Sequence, residues 1–360
     1  MTLKQFGWNS SWAKKWADLD RENLQPGRVA EEDKHHYVVF TADGEWLARV
    51  AGKMLHQAQS PANLPKVGDW VGVTLLPGEA KAVIHAVLPR ETTLSRKTPG
   101  RQVEEQILAT NIDVAFIVQS FDRTFNLQLL QRHLVMVFES GARPVVVLNK
   151  ADLDDNPTAD SSALKKFAGD MPVIVVSAKT GKGIDALAAQ IRAGETVVFI
   201  GTSGVGKSSL ANRLCGEEVM PTCEVRDSDA KGRHTTTWRE LILLPKGGLI
   251  IDTPGLREFH LWLAEEGMSG AFPEIDELAV QCHFRNCTHV VEKKCAVLAA
   301  LEAGRLEPES YKAYLKLRRE QGFLEQEQDR RTAWERKRQT KIAQRAFNKI
   351  KRGQIGGQTS

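Results

Sequence analysis

Short apolar runs dominate the chain between about residues 36 and 90, where they are separated by turns rich in Gly, Pro and Asp. This pattern predicts strands at 37–40, 45–50, 69–75 and 81–88. Several short strands within one small segment indicate a closed barrel. We predict an OB-type barrel, whose face and loops commonly bind oligonucleotides, although an SH3-like barrel with no nucleic-acid role would give a similar pattern.

A different pattern begins near residue 102, where buried-type apolar runs alternate with stretches of helical periodicity. It predicts strands at 112–118, 144–148, 173–176, 197–200, 238–244 and 249–251, and helices at 127–140, 161–168, 184–192 and 207–214. Such alternation implies a largely parallel sheet with helices on both faces. Because ligands of open α/β sheets bind at the carboxyl ends of the strands, we expect the chemistry to lie there.

The N-terminal segment is polar but carries Trp8, Trp12 and Trp16 at four-residue spacing, beside Lys14 and Lys15. The spacing places the three indoles on one face of a helix. That helix either packs on the rest of the protein or belongs to an arm whose indoles stack on nucleic acid.

Four motifs follow predicted strands, in an unusual order. They are Asn149-Lys150-Ala151-Asp152, Ser177-Ala178-Lys179, the glycine-rich loop from Gly201 to Ser208, and Asp252-Thr253-Pro254-Gly255. Each is a signature of a guanine-nucleotide site, but in an ordinary GTPase the glycine-rich loop comes first and the base-reading motifs close the domain. The chain therefore predicts a circularly permuted P-loop GTPase domain.

The glycine-rich loop is expected to hold the phosphates of GTP. Its residues are Gly201, Thr202, Ser203, Gly204, Val205, Gly206, Lys207, Ser208 and Ser209. Glycines let the backbone curl so that its N–H groups face phosphate oxygens. We expect Lys207 to reach the β- and γ-phosphates as a catalytic residue, and Ser208 to ligate Mg²⁺. Asp252 is predicted to hold Mg²⁺ as well, and the Gly255 amide to sense the γ-phosphate.

The base-reading residues are predicted to be Asn149, Lys150, Asp152, Ser177, Ala178 and Lys179. The Asp152 carboxylate can accept two hydrogen bonds from guanine that adenine cannot offer. Asn149 either bonds N7 of the base or fastens neighbouring loops. The Ala178 amide is expected to read O6, and the stems of Lys150 and Lys179 to cover the base.

The residue after the Asp-x-x-Gly glycine is Leu256, where many GTPases place a Gln that orients the attacking water. Residues 232–237 lie where the first switch loop should be. One of its threonines is expected to close over Mg²⁺, and we assign Thr236. His234 is the candidate for positioning water, with a solvent-exposed loop histidine as the alternative.

The five cysteines do not suggest a disulfide framework in a chain of 360 residues. Cys282, Cys287, His289 and Cys295 form a Cys-x4-Cys-x-His-x5-Cys pattern, the ligand set of a closed, structural Zn²⁺ site. His283 has poor spacing for a ligand. Cys215 and Cys223 are predicted to be ordinary thiols, with Cys215 buried.

Overall charge is only +4, but it is uneven. Ten Lys or Arg residues and one acid, Glu335, lie between 330 and 352, interrupted by Trp334, Phe347 and Ile350. A solvated helix face explains most charge runs, yet beside a zinc knuckle and a barrel we favour an RNA-contacting arm. The sequence shows no signal peptide or apolar run of membrane-spanning length, so we expect a cytoplasmic protein without a membrane partner.

These motifs, together with the barrel, resemble the circularly permuted, ribosome small-subunit-dependent GTPase A family over roughly residues 36–300. The resemblance implies an OB-fold barrel, a permuted GTPase domain and a zinc-knuckle domain on one chain. We expect the protein to be a monomer. The resemblance also implies GTP hydrolysis stimulated by the small ribosomal subunit during late maturation of that subunit, with rRNA as the main contact. The family's hydrophobic replacement of Gln is matched by Leu256, and its switch histidine by His234.

The alternative function is an RNA-binding placement factor in ribosome assembly, for which GTP is only a conformational ligand. We divide the chain into an extension (1–34), the barrel (35–98), the GTPase domain (99–262), the zinc-knuckle domain (263–315) and a basic helical tail (316–360). About 27 residues separate Gly255 from Cys282, so the knuckle follows the γ-phosphate sensor directly. We hypothesise that the permutation lets nucleotide state reposition an RNA-binding domain.

Overall fold

The computed structural model describes residues 2–19, 23–33, 36–58, 60–98, 104–121, 126–153, 170–217, 239–252 and 265–355. Its N-terminal segment contains a 3-10 helix, Leu3–Phe6, and helix α1, Ser10–Ala17. Asn9 caps α1, because its side-chain oxygen accepts hydrogen bonds from the amides of Ser11 at 2.9 Å and Trp12 at 3.2 Å.

The tryptophans of this segment pack on the protein itself. The ring of Trp8 lies 4.8 Å from that of Trp70 in the barrel, Trp12 lies 6.1 Å from Trp70, and Trp8 also contacts Trp16. The indole of Trp12 is buried, and Lys15 lies over it at 4.2 Å. The first interpretation is confirmed, and the alternative of an arm that stacks its indoles on nucleic acid is wrong, because these rings build a core.

Five strands close a small barrel: β1 (Gln25–Asp33), β2 (His36–Thr41), β3 (Gly44–Val50), β4 (Trp70–Leu76) and β5 (Lys81–Val87). Their neighbours run β1-β2-β3-β5-β4, and β4 pairs back with β1 to complete the ring. Helix α2, Gly52–Gln57, lies between β3 and β4. Val29, Val39, Val71 and Ile84 are fully buried in the barrel core.

Strand β1 corrects the predicted boundary between residues 34 and 35, which excluded it from the barrel. Its sequence contains Pro26 and Gly27 and ends in three acids, so it lacks the apolar alternation that marks a strand. Pairing with both β2 and β4 makes it a strand nonetheless. A second feature that the pattern did not predict is the antiparallel hairpin of β6 (Thr93–Lys97) and β7 (Glu105–Thr110).

The α/β region follows the predicted alternation. Its strands are β8 (Val114–Ser120), β9 (Arg143–Asn149), β10 (Val173–Val175), β11 (Thr196–Ile200), β12 (Arg239–Leu243) and β13 (Leu249–Asp252), and its helices are α3 (Leu127–Ser140), α4 (Ile184–Ala188) and α5 (Lys207–Cys215). The order is β10-β9-β8-β11-β13-β12, parallel throughout except that β12 runs antiparallel to β13. The helix predicted over 184–192 ends at Ala188, and the one predicted over 161–168 lies outside the described residues.

A buried arginine joins the barrel to the α/β region. Arg28 of β1 donates to Thr196 Oγ1 at 2.7 Å and to the carbonyl of Asn111 at 3.1 Å, and also to the carbonyls of Gly68 and Phe6. Burial lowers its pKa to about 10, so it remains a cation at neutral pH. Strand β12 also pairs with β1, so the barrel and the α/β strands form one continuous sheet.

The C-terminal region contains α6 (Glu265–Ala271), α7 (Pro273–Ala279), α8 (Ala296–Glu302) and the long helix α9 (Pro308–Ile355). It rests on α3. A Cβ atom on Gly267 of α6 would lie 2.1 Å from the carbonyl oxygen of Val135, so only glycine permits this approach. Buried Gln131 of α3 donates to Ser310 of α9 at 3.2 Å. Among the described helices, none combines the length and apolarity needed to cross a membrane.

Candidate functional site: a nucleotide edge and a Cys/His cluster

The glycine-rich loop connects β11 to α5, as predicted. A Cβ atom on Gly201 would lie 2.4 Å from the carbonyl oxygen of Val118. Gly206 has φ +95°, and a Cβ atom there would lie 2.2 Å from Nδ2 of Asn149. Both glycines are therefore required by the close approach of neighbouring strands and loops. Lys207 and Ser208 begin α5, at the helix N-terminus that suits an anion.

The ammonium group of Lys207 lies over the loop. It donates to the carbonyls of Gly201 at 2.8 Å and Thr202 at 2.7 Å. Asp252 ends β13 on the adjacent strand and is half-buried. Burial and the nearby Glu240 raise the pKa of Asp252, and the charge of Lys207 opposes that rise. The predicted phosphate contact of Lys207 and the predicted Mg²⁺ contacts of Ser208 and Asp252 remain predictions.

Asn149 fastens three loops together. Its side chain is buried; Nδ2 donates to the carbonyl of Val205 at 2.8 Å, and Oδ1 accepts from the amide of Ala178 at 3.0 Å. Of the two roles considered for Asn149, the structure therefore shows the loop-fastening one. The Ala178 amide, expected to read guanine O6, has Asn149 as its partner, and its base-reading role remains a prediction, as does a contact of Asn149 with N7.

Asp152 is exposed at the end of its motif, and its Oδ1 atom accepts a hydrogen bond from the hydroxyl of Ser177 at 2.6 Å. That hydrogen bond lowers the pKa of Asp152. The Ser177 hydroxyl in turn accepts from the Thr180 amide at 3.1 Å. Ser177 thus holds the carboxylate ionised and oriented, in the position from which we expect it to select guanine.

Arg213 is a residue of this region that the sequence motifs did not reveal. It lies in the last turn of α5, and its guanidinium donates to the carbonyls of Ala178 at 2.7 Å and Lys179 at 2.8 Å. One helix thus carries the phosphate loop at its start and supports the Ser-Ala-Lys loop near its end. We call the three connected motifs, 149–152, 177–179 and 201–208, the nucleotide edge.

The switch residues predicted from the sequence lie outside the described residues. These are residues 232–237 with His234 and Thr236, the motif glycine Gly255, and Leu256. Cys223 also lies there, whereas Cys215 is buried as expected, and burial raises the pKa of its thiol.

The four predicted metal ligands come together. The ligand atoms of Cys282, Cys287, His289 and Cys295 all lie within 4.8 Å of one another. The Sγ atom of Cys295 lies 3.8 Å from that of Cys282 and 3.5 Å from Nδ1 of His289. A tetrahedron with metal–sulfur bonds of about 2.3 Å has edges of about 3.8 Å, so the donor set fits Zn²⁺. His283 lies outside the cluster, against the ring of Phe284.

The electrostatics of the cluster suit a cation. Burial and the neighbouring thiols raise the pKa of Cys287 to about 11. Burial opposes ionisation of Cys282 too, but backbone amides, among them that of Ala296, lower its pKa. Burial lowers the pKa of His289, which keeps the imidazole neutral as a ligand must be. Crowded thiols resist ionising together, and a bound cation removes that conflict.

Two residues that the Cys/His spacing did not reveal order the ligand loop. The Glu292 carboxylate accepts from the amides of Thr288 at 2.7 Å, Val290 at 3.0 Å and Val291 at 3.1 Å. Tyr311 of α9 donates its hydroxyl to the carbonyl of His289 at 2.6 Å. His289 has φ +61°, a conformation that residues other than glycine rarely adopt, so these contacts support a strained ligand.

The fold and the nucleotide edge define a class of protein. A phosphate loop lies between a parallel strand and a helix, and base-reading loops from β9 and β10 precede it in the chain. This arrangement is that of a circularly permuted P-loop GTPase joined to an N-terminal β-barrel.

Comparison with known proteins identifies the family. The family model described as RsgA GTPase matches residues 87–262. The small ribosomal subunit biogenesis GTPase RsgA of Opitutus terrae is 45% identical over 332 residues, which cover 90% of each chain. The protein of the same name from Syntrophotalea carbinolica is 43% identical, over 94% of this chain and 96% of its own. The chain belongs to the RsgA GTPase family and is a GTP-hydrolysing enzyme.

Solved structures support the same conclusion. YjeQ from Thermotoga maritima aligns with a TM-score of 0.63 and 28% identity, covering 83% of this chain and 98% of its own. YloQ, described as a circularly permuted GTPase, aligns with a TM-score of 0.60 and 26% identity, covering 86% of this chain and 97% of its own. The permuted order deduced from the motifs is therefore confirmed.

Proposed function

We propose that this GTPase acts in the late maturation of the small ribosomal subunit and that the subunit stimulates its hydrolysis of GTP to GDP and phosphate. The observation that carries the proposal is the linkage of three nucleotide motifs through Asn149 and Arg213 in a chain whose relatives are named for small-subunit biogenesis. A site held by bonds between its own loops can recognise GTP before any partner is present.

Within this proposal the residues of the edge and of the switch segments have distinct roles. The loop amides and Lys207 hold the phosphates, and Ser208, Thr236 and Asp252 hold Mg²⁺, which would neutralise the charge that develops on the phosphates. Asp152 selects guanine, while Ser177 orients Asp152. Gly255 senses the γ-phosphate. His234 positions the attacking water, because Leu256 has no group that could do so.

We further propose that the remaining regions contact rRNA. The closed ring β1-β2-β3-β5-β4 supports an OB-type barrel. The donor set at Cys282–Cys295 supports one structural Zn²⁺, and exposed Arg285, Lys293 and Lys294 make its surface basic. A monomer in the cytoplasm remains our expectation.

Purified protein tests the proposal in a GTP hydrolysis assay with isolated ribosomal subunits. We expect slow hydrolysis alone and a marked acceleration by small subunits but not by large ones. Equal acceleration by both subunits, or none by either, would contradict the assignment. Co-sedimentation with a non-hydrolysable GTP analogue and with GDP shows in addition whether the nucleotide controls binding.

The alternative, a placement factor for which GTP is only a conformational ligand, differs in its need for turnover. A His234→Ala variant that still binds GTP should fail to leave the small subunit if hydrolysis drives release. Release at the normal rate would favour the placement factor.

We propose that nucleotide state repositions the C-terminal region. That movement must change the described contacts between the C-terminal region and α3. The Glu139 carboxylate of α3 accepts from the amide of Gly267 at 2.9 Å, and Gln131 of α3 donates to the hydroxyl of Ser310 at 3.2 Å. Movement of the metal cluster relative to α3 therefore requires these bonds to exchange. Hydrogen exchange of 265–279 with GTP analogue and with GDP measures this, and identical exchange in both states, on and off the small subunit, would contradict the proposed role of the permutation.

A further inference from the structure

The second half of α9 extends away from the body of the protein. Among the side chains of this helix that the structure describes, the last buried one is Leu324, and those from Glu325 to Lys341 are exposed or half-buried. The helix continues to Ile355, which is 31 residues beyond Leu324 (355 minus 324). At about 1.5 Å per residue this segment is about 46 Å long. A helix in water gains most of its stability from a packed face, and the described side chains from Glu325 to Lys341 include no buried one.

Charge on α9 changes sign along its length. Residues 320–329 contain four acids and no Lys or Arg: Glu320, Glu325, Glu327 and Asp329. Residues 330–341 contain one acid, Glu335, and six basic residues: Arg330, Arg331, Arg336, Lys337, Arg338 and Lys341. The helix dipole favours cations only within about the last turn, and this segment ends 14 residues before Ile355 (355 minus 341). The basic segment therefore needs another explanation than the dipole.

An aromatic ring stands in the middle of the basic segment. The Trp334 side chain is 60% exposed, and the guanidinium of Arg338 lies 5.6 Å from its ring. Phe323, on the same helix, is 59% exposed but lies among the acids. The two aromatics are thus matched in exposure and differ in the charge around them.

We propose that Trp334 and Arg338 form a stacking site for an unpaired base of RNA. The neighbouring Lys and Arg residues of 330–341 neutralise the phosphates of that RNA. Sites for single-stranded nucleic acid combine a cationic track with aromatic rings on which bases stack. Sequence-specific contacts to RNA favour unpaired bases, because side chains cannot read the deep, narrow major groove of the double helix. This inference rests on the proposed function, in which RNA is the partner, and it assigns one contact to a defined residue.

The experiment uses the full-length protein and a fluorescent 12-nucleotide oligouridine RNA, about the length that such sites span. Fluorescence anisotropy measures affinity for wild type and for Trp334→Ala, Trp334→Phe and Phe323→Ala. We expect Trp334→Ala to bind about 10-fold more weakly, and Trp334→Phe to stay within about 3-fold of wild type, because Phe retains a ring for stacking. Phe323→Ala is the matched control and should bind as wild type does.

A second measurement locates the contact. RNA carrying one 5-iodouridine is irradiated with the protein, and the cross-linked peptides are identified by mass spectrometry. We expect cross-links on the peptide that contains Trp334. Unchanged affinity of Trp334→Ala together with cross-links elsewhere would overturn the inference, and so would equal losses in Trp334→Ala and Phe323→Ala. A loss of small-subunit binding in Trp334→Ala without any loss of oligouridine binding would instead assign this face to a protein partner, which also overturns it.

These outcomes are separate from those of the proposed function. If small subunits stimulate GTP hydrolysis while Trp334→Ala binds RNA normally, only the stacking site is wrong. If Trp334 binds RNA but small subunits do not stimulate hydrolysis, the proposed function is wrong and the stacking site stands.

Discussion

The nucleotide edge and the Cys/His cluster are assembled in opposite ways. Hydrogen bonds of the edge join residues far apart in the chain, 56 positions between Asn149 and Val205 and 25 between Ser177 and Asp152. The four donors of the cluster lie within 14 residues of sequence. The edge satisfies its polar groups with hydrogen bonds between its own loops, whereas the cluster brings together thiols that resist ionising side by side. The stability of the cluster should therefore depend on a bound cation. The stability of the edge should depend only on interactions within the protein.

Metal removal should give the largest effect. Cys287→Ser or chelation should abolish metal binding and loosen α7 and α8, because a structural Zn²⁺ contributes on the order of 10 kcal/mol to the fold around it. Metal content and hydrogen exchange of 265–302 measure this. Cys215→Ser, a buried cysteine outside the cluster, should keep the metal. If the two regions are independent, the GTP affinity of Cys287→Ser should differ from wild type by less than about threefold. A larger loss would show that the edge depends on the cluster.

Removal of the Asn149 side chain, which joins the loops of the edge, should have the second largest effect. Asn149→Ala leaves the carbonyl of Val205 and the amide of Ala178 without their side-chain partner. We expect about 100-fold weaker GTP binding, about 2.7 kcal/mol, measured with a fluorescent GTP analogue. Asn63→Ala, in the short 3-10 helix Pro61–Asn63 between α2 and β4, is the control and should bind GTP normally. A fall in metal content in Asn149→Ala would show that the two regions are coupled.

Arg213 should have a smaller effect, because it supports the Ser-Ala-Lys loop from outside. Arg213→Ala should weaken GTP binding by about 10-fold, or about 1.4 kcal/mol. Arg213→Lys should rescue little, since a single ammonium cannot reproduce the planar fork that spans two carbonyls. The exposed Arg192 provides the control variant Arg192→Ala. Full affinity in Arg213→Ala would mean that Asn149 alone holds the loop.

The smallest effect concerns pH. The hydrogen bond from Ser177 lowers the pKa of Asp152, so the ionised carboxylate persists to lower pH than an ordinary Asp. The stabilisation that this hydrogen bond gives the folded protein is complete above the ordinary Asp pKa. It is lost as pH falls through the lowered pKa of Asp152. In Ser177→Ala that loss should begin at higher pH. The titration of the Asp152 carboxyl carbon followed by NMR measures the shift, and identical titrations in both proteins would contradict it.

The regular elements of the α/β region could be predicted closely because each has a local signal. Helix α3 begins at Leu127 and ends at Ser140, as the periodicity and the following Gly141 indicate. Strand β1 could not be predicted, because Pro26, Gly27 and the acids after them have no intrinsic preference for a strand and only pairing on both sides stabilises one. For the same reason the division at residue 35 was wrong.

The sequence by itself determined the motif order, and with it the permuted class, as well as the four donors of the cluster. Each motif, and the set of four donors, can be recognised from residue types and their spacing within a short stretch of chain. Only the tertiary structure decided that Asn149 fastens loops, that Arg213 supports them and that Arg28 reaches Thr196, 168 positions away. Those roles depend on which loops the sheet brings together, and long-range packing sets that neighbourhood rather than any local pattern of residues.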